Sequence, residues 1–128
     1  MQLIAQSATS ELIKPAGPVH EATVEHKGLY LVFSTHNSPF EEELSIQLFG
    51  PKGQELERVD LYGAYASGLF KLKEVSDNRI EFTFWSEDRL RLTYYEKPRR
   101  IILQPPGVHY AKRFTSRHVV VEGPLSQE

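Results

Sequence analysis

With 128 residues, 40% of them hydrophobic, the chain has the size and apolar content of one domain built on one core. It has no cysteine, which excludes a disulfide framework, a thiolate metal site and a cysteine nucleophile. The net charge of −2 excludes a uniformly basic surface, and no apolar run approaches the roughly 18 residues of a membrane span.

The opening MQLIAQSATSELIK lacks the basic start and continuous apolar run of a secretory signal, so a soluble, cytoplasmic protein without a membrane partner is expected. Gln2 to Gln6 reads as a short strand. Pro15-Ala16-Gly17-Pro18 is turn-rich, and residues 1–18 are expected to be irregular or frayed. Val19 to Glu25 is the next strand, and Lys27-Gly28 turns the chain into GLYLVFST, residues 28 to 35. There Leu29, Leu31 and Phe33 share one face, with Tyr30 and Val32 on the other.

His36-Asn37-Ser38-Pro39 breaks that strand. Three consecutive acids, Glu41 to Glu43, would suit a helix N-terminus, but the clean alternation of Leu44 to Phe49 favours an acidic strand entrance, with at most one short helical turn near Pro39 to Glu43. Leu44 to Phe49 alternates with Leu44, Ile46 and Leu48 inward. After a turn at Gly50 to Gly53, the run Glu55 to Tyr62 starts with Leu56 inward, but Val59 and Leu61 follow in the opposite phase. A one-residue phase change of this kind implies a β-bulge. GAYASG, residues 63 to 68, is a loop. Leu69 to Val75 sets Phe70 and Leu72 against Lys71 and Lys73, and Ser76-Asp77-Asn78 is a turn.

Arg79 to Tyr95, RIEFTFWSEDRLRLTYY, carries two runs of apolar/polar alternation around Ser86-Glu87-Asp88, the pattern of a half-buried antiparallel hairpin. Pairing Trp85 with Arg89 sets Thr83 opposite Arg91, Glu81 opposite Thr93 and Arg79 opposite Tyr95. Ile80, Phe82, Phe84, Leu90, Leu92 and Tyr94 then fill the core face. Lys97-Pro98 ends the strand. Ile101 to Leu103, Val108 to Phe114 and His118 to Val121 are further strands, with a break at Gln104 to Gly107, and residues 123–128 form a frayed tail.

About nine or ten mostly antiparallel strands and no sustained 3.6-residue repeat define an all-β single domain over residues 1–128. With no helix to cover a lone sheet, the expected architecture is a sandwich or a flattened barrel.

The chain is poor in catalytic motifs. His20-Glu21 and His26 form HExxxxH rather than HExxH, and on a strand the two histidines stand about 20 Å apart. No metal site is expected, and no cofactor, since neither a GxGxxG nor a GxxxxGK pattern occurs. Neither does a GxSxG elbow, and adjacent glutamates on a strand point to opposite faces, so no catalytic role is expected.

Two surfaces stand out instead. The outward face of the hairpin gathers Arg79, Trp85, Arg89, Arg91 and Tyr95, residue types enriched where proteins meet. Lys97 to His118 holds six cations and no acid, whereas residues 1–96 hold nine cations and fifteen acids. Arg99, Arg100, Tyr110, Lys112 and Arg113 therefore make a second candidate surface able to steer an anionic partner. The expected function is that of a small binding or adaptor module engaging another macromolecule, foremost a protein, with a second copy of the chain as an alternative. A nucleic acid is disfavoured by the acidic remainder of the chain. A β-barrel carrier of a small apolar or amphipathic ligand is the alternative function, and it requires an unfilled interior.

Overall fold

The computed structural model describes residues 2–5, 15–36, 41–64, 70–85, 87–100, 106–111 and 117–125. They form ten strands: β1 (Gln2–Ala5), β2 (Val19–His26), β3 (Leu29–His36), β4 (Glu41–Phe49), β5 (Glu55–Ala64), β6 (Lys71–Val75), β7 (Arg79–Thr83), β8 (Leu90–Arg99), β9 (Val108–Tyr110) and β10 (Arg117–Glu122). Among the described residues there is no helix, and Glu41 to Glu43 are extended at the start of β4, the acidic strand entrance expected there. The strands make two antiparallel sheets, ordered β1-β2-β3-β4-β5-β9 and β10-β8-β7-β6, not closed into a barrel. The fold is an all-β sandwich.

Alternation explains the core. Leu31 and Phe33 on β3, Leu44, Ile46 and Leu48 on β4 and Val59 and Leu61 on β5 meet Ile80, Phe82, Leu90, Leu92, Val119 and Val121 of the smaller sheet. Phe33, Phe70 and Phe82 lie at its centre, with ring centroids 5.2–5.7 Å apart. The interior is filled by these side chains.

The bulge expected in β5 is present. Phe49 pairs with Glu55 but Leu48 with Glu57, which leaves Leu56 as the extra residue. It is exposed rather than in the core, because as the unpaired residue of the bulge it stands outside the inward phase that Val59 and Leu61 follow.

Two expectations, a frayed tail starting at Gly123-Pro124 and a strand end at Lys97-Pro98, are corrected. Residues 123–125 are docked rather than frayed: Leu125 N donates to Arg89 O at 2.8 Å, and a Cβ on Gly123 would stand 2.5 Å from Leu90 Cδ2. Residues 15–18 are irregular, as expected, and are held by Ala16 N donating to Gln47 Oε1 at 2.9 Å and Gly17 N to Ser34 Oγ at 3.0 Å. Lys97-Pro98 does not end β8. Pairing with β10 jumps from Arg99↔Arg117 to Tyr94↔Val119, so Pro98 sits in an irregular stretch where its missing N–H costs no ladder bond. Ile101 to Leu103 lies outside the described residues.

Side chains close the seam where β5 and β9 approach β10. The Glu57 carboxylate accepts from His118 N (3.0 Å to each oxygen) and from Val119 N (3.2 Å). Tyr110, reaching over from β9, accepts from Val121 N through its hydroxyl at 3.0 Å. The free edge of β10 is thereby satisfied by side chains in place of another strand. Tyr110→Phe keeps the ring but leaves the buried Val121 amide without an acceptor, so a loss of about 1–3 kcal/mol is expected in denaturant unfolding. A loss under about 0.5 kcal/mol would show that water replaces the hydroxyl.

Candidate binding surface

The β7–β8 hairpin forms with a register two residues away from the expected one: Arg79 pairs with Thr93, Ile80 with Leu92, Glu81 with Arg91 and Phe82 with Leu90. A shift of two preserves the faces, so Ile80, Phe82, Phe84, Leu90 and Leu92 are buried as expected. It also lengthens the connection, and Phe84 and Trp85 leave the ladder.

That change removes Trp85 from the outer face. Its Nε1–H donates to Tyr62 O at 3.0 Å, and its ring packs against the core and over Gly107, whose missing Cβ would lie 2.9 Å from Trp85 Cζ2. The indole ties the hairpin end of the small sheet to β5 of the large one. Tyr110 leaves the candidate surface as well. It is 8% exposed, and burial raises its phenolic pKa above the ordinary value. Arg117 stacks on its ring, with the guanidinium carbon 4.1 Å from the centroid, and is itself buried. Lys112 and Arg113 lie outside the described residues.

The remaining residues do converge. Arg91, Thr93 and Tyr95 alternate along the outer face of β8. Arg79 lies beside them on β7, and Glu81 pairs across with Arg91. Arg89 is exposed at the strand entrance, with Nη1 3.3 Å from Glu81 Oε1. Arg99 stands over Tyr95, its guanidinium carbon 4.4 Å from the ring centroid, and Arg100 follows it, exposed. Thr83, Thr93 and Val120, on the same side of the sheet, are buried.

A second feature, not anticipated from the sequence, is a cleft of about 760 Å³ at the opposite end of the hairpin, between the β2–β3 turn, the β6–β7 turn and β8. Lys27 and Gly28 make that first turn with φ of 50° and 81°, the two positive values a tight two-residue hairpin needs. His26 meets Tyr94 edge-on at 5.0 Å, and Tyr94 stacks on His118 at 5.8 Å. The His118 Nδ1–H donates to Tyr95 O at 2.8 Å, which fixes its tautomer. Burial lowers the His26 pKa and raises that of Tyr94, where Glu96 and Glu57 add to the effect. Lys27 and Glu96 form an exposed ion pair across the rim, which raises the lysine pKa and lowers the glutamate pKa. The cleft depends on His26 of the large sheet meeting Tyr94 of the small one, which no local pattern signals.

On the outer face of the large sheet, Ser45, His36 and Glu43 come close enough to test for nucleophilic chemistry. His36 Nε2 is 3.3 Å from Ser45 Oγ and 3.8 Å from Glu43 Oε2. One ring nitrogen faces both partners, whereas a relay needs the serine and the acid on different nitrogens. Ser45 is also fully buried, beyond the reach of a substrate. Among the described residues no three His, Asp or Glu are placed to hold a metal ion, and no helix is long and apolar enough to cross a membrane.

Compared with known protein families, curated proteins and solved structures, the chain shows no match. Fold and surface together define an antiparallel β-sandwich with a filled core, whose smaller sheet carries Arg79 and Arg91 beside Glu81 and Glu122 on its outer face.

Proposed function

We propose that the protein is a small binding module that engages another protein through the outer face of the β10-β8-β7-β6 sheet. The observation that carries this reading is the placement there of Arg79, Arg91 and the Tyr95–Arg99 pair, with Arg89 at the strand entrance beside Glu81. Arginine and tyrosine bury large, adaptable contact area at low entropic cost, and arginine adds directional hydrogen bonding. The carrier alternative needs an empty apolar interior, and the space between the sheets is occupied by Phe33, Phe70 and Phe82. The cleft beside Tyr94 is open and lined by charged side chains, which does not suit an apolar cargo. A cytoplasmic location belongs to the same proposal, since a chain without cysteine loses nothing in a reducing compartment.

Native mass spectrometry of the protein isolated from its own cells, beside an Arg79→Glu/Tyr95→Ala variant, tests this reading. The expected result is a polypeptide partner on the wild-type protein and none on the variant, with unchanged thermal unfolding. A stoichiometric small molecule in place of a polypeptide would overturn it, as would a partner retained by the variant.

A further inference from the structure

We propose that residues 15–18 form a strap across the outer face of the large sheet, and that protonation of His20 releases it. The strap lies on the other side of the sandwich from the proposed contact face and operates independently of it. Ala16 N is tied to the Gln47 side chain of β4, Gly17 N to the Ser34 side chain of β3, and Val19 enters β2, so the chain crosses three neighbouring strands between residues 16 and 19. It runs close to the sheet. A Cβ on Gly17 would stand 2.5 Å from Thr35 O, and the two anchoring side chains, Ser34 and Gln47, are buried although they belong to the outward phase of their strands.

His20 stands at the foot of the strap. Its register partner on β3 is Ser34, the residue that anchors Gly17, so the ring shares the outer face with that anchor. His20 Nε2 is 2.7 Å from Thr23 Oγ1, and Nδ1 is buried with no hydrogen-bond partner. A neutral imidazole tolerates this arrangement, with Nε2–H donating to the threonine hydroxyl and Nδ1 holding only a lone pair. An imidazolium does not. Both nitrogens then carry protons, and Nδ1–H becomes a buried donor without an acceptor. The hydroxyl opposite, that of Ser34, already accepts from Gly17 N. Lifting the strap frees that hydroxyl and admits water, and either one satisfies the new donor.

The charges around the ring leave this balance in place. Burial lowers the His20 pKa from its ordinary 6.5, and the Glu21 carboxylate opposes the shift while accepting from Thr35 Oγ1 at 2.9 Å. Of the described elements beside β2, the strap and β1 carry no ionisable side chain. From β3 comes His36, two residues beyond Ser34 on the same face and engaged with Ser45 and Glu43 of β4. The closed strap therefore favours the neutral ring. It is held fully above pH 6.5 and loosens as the pH falls below that value toward the lowered pKa, which opens the Ser34–Gln47 strip in mildly acidic surroundings.

The test is amide hydrogen exchange by NMR on the full chain, between about pH 7.5 and about pH 5, with each rate divided by that of an unstructured chain at the same pH. Protection of the Ala16 and Gly17 amides is expected to fall about tenfold, the factor that one unsatisfied buried donor implies, while Leu31 and Phe33 of β3 stay protected. The midpoint should coincide with the titration of the His20 ring carbons. His20→Phe, which cannot take up a proton, should make the protection of Ala16 and Gly17 independent of pH, and His36→Gln should leave the wild-type response intact. Constant protection of the two amides, or a midpoint that departs from the His20 titration, would overturn the proposal. A response that persists in His20→Phe or disappears in His36→Gln would assign the switch to another group and overturn it too. Should His20→Phe not fold, the coincidence of the two wild-type midpoints together with the His36→Gln response decides.

Discussion

Phe82→Ala is expected to destabilise the protein by about 3–5 kcal/mol, the range for emptying a fully buried aromatic position. Phe82 has no exposed surface, and its ring touches one aromatic from each side of the interior: Phe33 of the large sheet at 5.7 Å and Phe70, just before β6, at 5.7 Å. Strand ladders on both sides hold the surrounding backbone, so the cavity can close only partly. For a domain of this size the melting temperature should fall by roughly 10–20 °C. Leu56→Ala provides the contrast: the bulged leucine is 37% exposed, and its truncation should cost under about 1 kcal/mol. Urea unfolding of both variants measures the difference. A Phe82→Ala loss below about 1 kcal/mol would mean that the two sheets do not share one aromatic centre.

Much of this architecture is legible because a strand encodes its two faces in alternate residues. The parity of Ile80, Phe82, Leu90 and Leu92 survives a two-residue register shift, so the buried face was readable even though the pairing was not. Register depends on how many residues the connection consumes, and RIEFTFW continues its alternation past the point where the ladder ends. Phe84 stays buried as the pattern implies, but nothing in the pattern marks Thr83 as the last ladder residue. The bulge of β5 was readable for a related reason, since an extra residue leaves a phase error in the sequence. Pro98 illustrates the opposite case. A proline normally signals the end of a strand, yet it is accommodated where the ladder with β10 is already interrupted.

The candidate surface was half legible, and polar atoms on apolar bodies explain the rest. Tyr110 and Trp85 resemble exposed recognition residues when only composition is considered. In the fold each has a polar atom that meets a backbone group of the facing sheet, Val121 N for the hydroxyl and Tyr62 O for the indole, and each ring is drawn inward by that partner. Arg117, part of the basic run, stacks on Tyr110 at the seam rather than adding to an open patch. The residues that remain outside, Arg79, Arg89, Arg91, Tyr95 and Arg99, are those on or beside the outward phase of β7 and β8. Their outward placement was therefore carried by periodicity more than by charge.

Trp85→Ala should cost about 2–4 kcal/mol, a large effect for a side chain only partly buried, because packing and a hydrogen bond between the two sheets disappear together. Trp85→Phe separates the two contributions. It retains much of the apolar contact but cannot donate to Tyr62 O, so about 1 kcal/mol of the loss should remain. Gly107 is the other half of this contact. Its φ of +86° is unfavourable for any residue with a Cβ, and that Cβ would stand 2.8 Å from Tyr62 O and 2.9 Å from Trp85 Cζ2. Gly107→Ala should therefore destabilise by about 2–4 kcal/mol, part from the backbone conformation and part from the collision. The double variant isolates the second part: once the indole is gone the methyl group has room on that side, so the two losses should sum to about 1 kcal/mol more than the double variant shows. Trp85 is the only tryptophan, so its fluorescence reads the same contact directly. Gly107→Ala should shift the emission toward the wavelength of a water-exposed indole under conditions where the protein remains folded. Strict additivity with an unmoved emission maximum would show that the indole does not rest on Gly107, and the link between hairpin and large sheet would then have to be carried by the core alone.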